Sequence, residues 1–231
     1  MRPLSASKGS GQRVHGFGSK KDAWRWKATK GGDFSTKSAY DIVKAAKTRN
    51  INSNPTSEIL KEVWNTPATH KAKVTTWRLV RNRLPTCDNL RRRNIQIGVE
   101  ESWCNACCHR SETCKHLFIE CPKADAVWSG IQQWLGINGP RPNDITEHLE
   151  AFTNLGKKKH RKTLRALWMC ITWLMWKNRN ESRFDGKTWD VQALIREIKV
   201  MFWCWIKIFK LSNADVSFSS WMSQIFDLHA L

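Results

Sequence analysis

The chain has 231 residues, 41% of them hydrophobic, which is enough for one large domain or two small ones and argues against wholesale disorder. Thirty-nine Lys and Arg against 20 Asp and Glu leave a formal charge of +19. A compact body repels itself at that charge unless a polyanion neutralises it, which points to nucleic acid or an anionic membrane surface, nucleic acid being the expected class; no small-molecule substrate is expected.

Residues 1–21, rich in Ser, Gly and basic side chains, predict a disordered basic leader, and a short helical segment with its linker follows over 22–56. Ser35 is the expected N-cap of a helix of about three turns that uses Ala39, Val43 and Ala46. A helix from Glu58 to Trp64, stopped by Pro67, opens the region 57–135. The next, Lys71 to Leu84, carries Val74, Trp77, Val80 and Leu84 as an apolar stripe. Pro85 ends it, and Thr86 can cap a short helix that closes on Arg91, Arg92 and Arg93. Ala124, Val127, Trp128, Ile131, Trp134 and Leu135 form the clearest helical stripe. Over 136–160 a loop leads to a helix capped by Asp144 and Glu147 and then to a basic run from Lys157 to Lys162. Two apolar helices, Thr163 to Arg179 and Asp190 to Leu211, joined by a turn at Phe184 to Gly186, predict an antiparallel hairpin over 161–211, with a tail at 212–231. The uncharged run Ala166 to Met175 is about half of the roughly 20 residues that span a bilayer, so neither a transmembrane helix nor a membrane partner is expected. The expected fold is mainly α: a small zinc-stapled helical domain followed by that antiparallel helical hairpin.

Eight cysteines without a signal-peptide core at the N-terminus point to a reducing, intracellular setting, nuclear or cytoplasmic, where clustered Cys and His serve as metal ligands. Cys104 and Cys107 form a Cys-x2-Cys pair; eight residues separate Cys107 from His116, and four more precede Cys121. Such a turn directs both sulfurs inward, and a distant His/Cys pair completes a closed, structural zinc tetrahedron. Leu117, Phe118 and Ile119 are expected to pack the second pair against the neighbouring helix. Zinc would supply about 10–16 kcal/mol of apparent binding free energy to order so small a knuckle. Cys108 is the rival for the place of Cys107, and His109 and Cys114 are near enough to substitute; Cys87 lies outside the cluster, and Cys170 and Cys204 are expected as core thiols.

The residues from Trp64 through Lys71, Trp77 to Thr86, Asn89 to Arg93, then Cys104, Cys107, His116 to Phe118, Cys121 and Trp128 resemble the zinc-binding region downstream of the reverse transcriptase in plant non-LTR (LINE-type) retrotransposons. Phe34 to Tyr40 and Trp173 to Asn180 extend the resemblance over roughly residues 22–205. It implies the ligands Cys104, Cys107, His116 and Cys121, an accessory role with polymerase catalysis in an upstream segment, and the reverse transcriptase of the parent element as a further partner.

Lys71, Lys73, Arg78 and Arg81, beside the zinc segment, are the expected contacts to an RNA or DNA backbone, and Trp103 is the expected base-stacking ring. Trp77, Trp128, Trp134, Trp168 and Trp203 fall on apolar stripes and are expected in the core. Arg91 to Arg93 complement a helix C-terminus, whereas Lys157 to Lys162 precede a helix N-terminus and are a second candidate for phosphate contact or nuclear localisation. Catalysis is not expected: the ten Asp are scattered, and the only adjacent acids are Glu100 and Glu101. The alternative to a nucleic-acid-binding module is a protein-interaction or non-functional remnant of a truncated element.

Overall fold

The computed structural model describes residues 25–49, 55–211 and 217–223. The expected leader 1–21, the linker at 50–54 and most of the tail lie outside them. Among the described residues the regular structure is helical, and the one β-type contact is an isolated antiparallel bridge between Trp103 and Ser111.

The chain divides into two compact units, 1–52 and 53–231. In the first, Ser35 caps α1 (Thr36–Arg49): its Oγ accepts the Ser38 amide at 3.1 Å, and the Ser38 hydroxyl lies 3.4 Å from the Ser35 amide. That reciprocal pair is a capping box with serine in place of the usual Glu or Gln. Trp26 is held over the helix start by its Nε1–H bond to Ser38 Oγ (2.9 Å) and an edge contact with Phe34 at 5.0 Å.

In the second unit α2 (Pro55–Asn65) begins three residues before the expected Glu58, because Pro55 occupies the first turn, where its missing N–H is not needed. Ile59, Leu60 and Val63 bury its inner face. The next helix, α3 (His70–Val80), ends four residues before the expected Leu84. Asn82 takes the left-handed conformation (φ 49°), the Arg83 amide returns to the Arg78 carbonyl, and the Asn82 amide bonds to Leu79 at 2.9 Å. This is a Schellman closure with asparagine at the left-handed position. The buried face of α3 is also not the expected stripe: Ala72, Thr75, Thr76 and Leu79 point inward, while Val74, Trp77 and Val80 are half-buried. The short α4 (Cys87–Arg91) follows Thr86.

Helix α5 (Pro122–Leu135) buries all six residues of its expected stripe and stops at Gly136, φ 62°. In α6 (Ile145–Thr153) the Asp144 carboxylate accepts the amides of Thr146 and Glu147 at 2.8 and 3.1 Å. The central helix is α7 (Arg161–Phe184), which packs against α3, α6 and α8 (Val191–Phe209). Contacts between α7 and α8 run in opposite chain directions: Thr163 with Leu211, Trp173 stacked on Trp205 at 6.0 Å, and Lys177 paired with Glu197 at 2.7 Å. A last turn, α9 (Phe218–Ser223), lays Trp221 against Trp134. The described residues of the second unit share one core, which runs from Ile59 to Trp221.

That core is built on tryptophan. Trp128 lies 5.5 Å from Phe152 and 6.2 Å from Trp168, and its Nε1–H donates to the Phe118 carbonyl at 2.7 Å. Trp168 donates to His148 Nδ1 at 3.0 Å. Trp128, Trp134 and Trp168 are buried as expected, whereas Trp77 and Trp203 are half-buried, and Cys204, expected inside, is exposed. Trp128→Ala should lower the unfolding free energy by about 3–5 kcal/mol. Urea unfolding at fixed free zinc measures it.

Candidate metal centre

A tight reversal holds the first ligand pair. The Glu112 amide bonds to the Ser102 carbonyl at 2.9 Å and the Cys104 amide to Arg110 at 2.8 Å, so the strands on either side of the knuckle are clamped together. Within it the Cys108 amide donates to the Cys104 carbonyl at 2.7 Å, and Cys108 takes φ 55°. That turn carries Cys104 and Cys107 to one side and leaves the Cys108 side chain exposed.

The second pair comes from a widened helical turn, His116–Glu120, in which the Cys121 amide reaches back five residues to the His116 carbonyl at 2.8 Å. In a regular α-helix residues five apart point roughly 140° away from each other; the π-type turn brings them to the same side. Thr113 Oγ1 accepts the His116 amide at 3.0 Å. Cys121 is the N-cap of α5, where Pro122 has no N–H to offer and the amides of Lys123 and Ala124 turn toward the sulfur.

The four ligand atoms lie within 4.8 Å of one another: Cys104 Sγ to Cys121 Sγ is 4.0 Å and Cys107 Sγ to His116 Nε2 is 3.2 Å. Zinc with Zn–S near 2.3 Å and Zn–N near 2.0 Å needs ligand atoms about 3.5–3.8 Å apart, which these distances bracket. Cys104, His116 and Cys121 are buried, and Cys107 is partly so. The Cys104–Cys121 hydrogen bond and burial push the Cys104 thiol up, while the same hydrogen bond pulls Cys121 down. Two buried sulfurs so close cannot both be thiolates without a cation between them. Burial holds His116 below the usual imidazole range, which favours the neutral ring that a ligand must be, and its Nδ1 has no hydrogen-bond partner among the described residues. The donor set therefore fits zinc and supplies a closed tetrahedron. The rivals point elsewhere: His109 is exposed, and Cys114, its thiol pushed up to about 11 chiefly by burial, receives Asn89 Nδ2 at 3.7 Å.

Three residues at the centre escaped the sequence pattern. Glu112 is fully buried between the two ligand pairs. Its carboxylate receives Arg179 Nε at 2.9 Å, Arg179 Nη2, the Cys87 amide at 3.2 Å and, more distantly, Arg183 at 3.4 Å. Arg183, one turn further along α7, also donates to the carbonyls of Glu101 (2.7 Å) and Trp103 (3.2 Å) and to Asn105 Oδ1 (3.1 Å). Burial alone would raise the Glu112 carboxyl; hydrogen bonding and charge from Arg179 and Arg183 outweigh it and hold the group below its usual range. The available signals were that Glu112 is the only acid between Cys107 and His116 and that Arg179 and Arg183 stand one helical turn apart.

Residues 34–128 match the family model described as zinc-binding in reverse transcriptase. A zinc-binding domain of the reverse-transcriptase type therefore occupies this segment. No curated protein and no solved structure matches the chain. The domain includes all four ligands and Glu112, whereas Arg179 and Arg183, which grip it, lie beyond its end.

Of the expected nucleic-acid contacts, Lys71 and Arg78 are exposed on the outer half of α3, and Arg81 is exposed at its C-cap. Lys73 is half-buried, and its Nζ donates to the Trp64 carbonyl at 2.9 Å, closing the end of α2. Trp103, 42% exposed, stands beside the first ligand. Lys157 to Lys159, Arg161 and Lys162 are exposed at the start of α7. Among the described residues no helix is long and apolar enough to cross a membrane.

Purified, reduced protein should carry one zinc per chain by elemental analysis. Cys107→Ser should lower zinc affinity far more than Cys108→Ser, as read by competition with a chromophoric chelator; the opposite order would reassign the ligand. Arg179→Met should cost about 3–5 kcal/mol at neutral pH, because it strands a buried carboxylate. A depressed carboxyl contributes stability above its unfolded pKa, about 4.3, that is lost as pH falls through the lower folded value. The difference between wild type and Arg179→Met should therefore shrink as unfolding curves are taken to lower pH.

Proposed function

We propose that this chain is a zinc-stapled accessory module of a retroelement-derived, LINE-type protein of the plant kind, that it holds RNA or DNA by the backbone without sequence preference, and that it has no catalysis of its own. The observation that carries this is the charge on α3. No acid occurs between Glu62 and Asp88, and Lys71, Arg78 and Arg81 project from the helix with no ion pair among the described residues. A helix whose inner face is fixed in a core and whose outer face carries cations and no acid suits a polyanion, and such contacts act through charge and not base identity. Trp103 offers an exposed ring beside the metal. The closed four-ligand set favours a structural zinc, since a catalytic one keeps a position open for water or substrate. In the cell the setting is nuclear or cytoplasmic, with the reverse transcriptase of the parent element as a protein partner.

Replacing Lys71 and Arg78 by Gln should weaken binding to the same degree for every sequence tested. The slope of log K against log salt should flatten by roughly 0.7–0.9 per lost phosphate contact. Fluorescence anisotropy over a salt series measures both. If only neutralising Lys157 to Lys159 changes affinity, the contact belongs to the start of α7; if neither matters, the binding proposal falls.

A further inference from the structure

The outer half of α3 carries two parallel rows. At about 100° per residue, His70, Trp77 and Arg81 fall within a narrow arc, spaced i, i+7 and i+11, and Lys71 and Arg78 form a second row beside them, also seven apart. Trp64, at the end of α2, continues the first row: it is 41% exposed, and its ring centroid lies 6.1 Å from that of His70. The Arg81 guanidinium rests over the Trp77 ring at 5.3 Å. The Lys73 bond to the Trp64 carbonyl fixes where α2 ends relative to α3 and so sets the position of Trp64. None of these rings is needed for the core of the helix, which is made by Ala72, Thr75, Thr76 and Leu79.

We infer that this surface is a binding site for unpaired nucleotides, with Trp64, His70 and Trp77 stacking on bases while Lys71 and Arg78 hold the phosphates of the same strand. The inference rests on the nucleic-acid reading above and narrows it from any backbone to single strands. Flat rings and an arginine plane interleaved with cations are what base stacking requires, and a duplex, whose base faces are already covered, cannot use them. The span from His70 to Trp77 is roughly 10.5 Å along the helix, about three stacked nucleotides. The cation row alone would serve a duplex or any other polyanion; the aromatic row at its side would not. The absence of acid from α3 also disfavours a basic protein as the occupant.

The test uses the full, zinc-loaded chain with three labelled probes of matched charge: a short oligouridylate, a duplex of the same length and inorganic polyphosphate. Wild type should bind the oligouridylate most tightly. Trp64→Leu, which keeps an apolar side chain but removes the ring, should weaken that affinity roughly five- to hundredfold and leave duplex and polyphosphate binding within about twofold. Trp64→Phe should restore part of the loss. Lys71→Gln with Arg78→Gln should weaken all three probes. Zinc content and the thermal midpoint of each variant confirm that it is folded. Equal affinity for strand and duplex, or an unchanged oligouridylate affinity in Trp64→Leu, overturns the single-strand inference and leaves the backbone reading standing. Failure of wild type to bind any of the three overturns both.

Discussion

The buried pairing of Glu112 with Arg179 and Arg183 joins the metal segment to the rest of the molecule. A carboxylate removed from water is costly, and the cost is met only when several donors surround it. Here two arginines from one face of α7, with the Cys87 amide, supply them. Arg179 is itself braced by the Trp176 ring at 4.8 Å, and Trp176 stacks on Phe118 from the turn that carries His116. The ligand set and the ion pair therefore hold the same loop from two directions. The ligands fix the chain at Cys107 and His116; the carboxylate midway between them can then be held at one place, where a mobile loop would leave it nothing to pair with.

Trp128 performs the matching task on the other side of the metal. Its indole N–H takes the Phe118 carbonyl, one that the widened turn leaves without a regular helical partner, and its ring lies among Phe152, Trp168 and His148. The turn that makes room for His116 and Cys121 on one sulfur-lined side would otherwise expose backbone to an apolar interior. A tryptophan fits this position because it brings both a large apolar area and a single donor.

What could be read in the sequence and what could not follow from the same physics. Ligand spacing is a local property, and so are the stripe of α5 and the Asp144 cap, so each was legible from neighbouring residues alone. The inner face of α3 was misassigned because it is partly threonine. Thr75 returns its hydroxyl to the Lys71 carbonyl at 2.9 Å and becomes nearly apolar, which leaves Val74 and Trp77 free to face outward. The early end of that helix had a signal, Asn82, but asparagine takes the left-handed conformation only when the following turn asks for it. Cys204 is expected in the core because it sits inside an apolar helix; its neighbours Phe202 and Trp205 are buried, and one residue of register is enough to turn it out. The only local sign of Glu112 is its place as the lone acid between Cys107 and His116; its arginine partners lie 67 and 71 residues away, beyond the reach of spacing.

The net charge of +19 conceals a division of labour among the cations. Arg165, Arg179 and Arg183 are spent inside the fold on Glu62, Glu112 and the carbonyls of the knuckle, and Lys177 is paired at the surface with Glu197. Pairing reduces what these charges add to an external field. Lys71 and Arg78 of α3 are different in kind, since the fold asks of that helix only the four small or apolar residues of its inner face and the Lys73 bond to the Trp64 carbonyl. Because α3 packs on α7, and α7 grips the zinc loop through Glu112, the cationic face is carried by a continuous set of packed elements that begins at the metal. Loss of order at the four ligands would therefore reach α3 through the Glu112 pairing and α7, without any direct contact between the ligands and that helix.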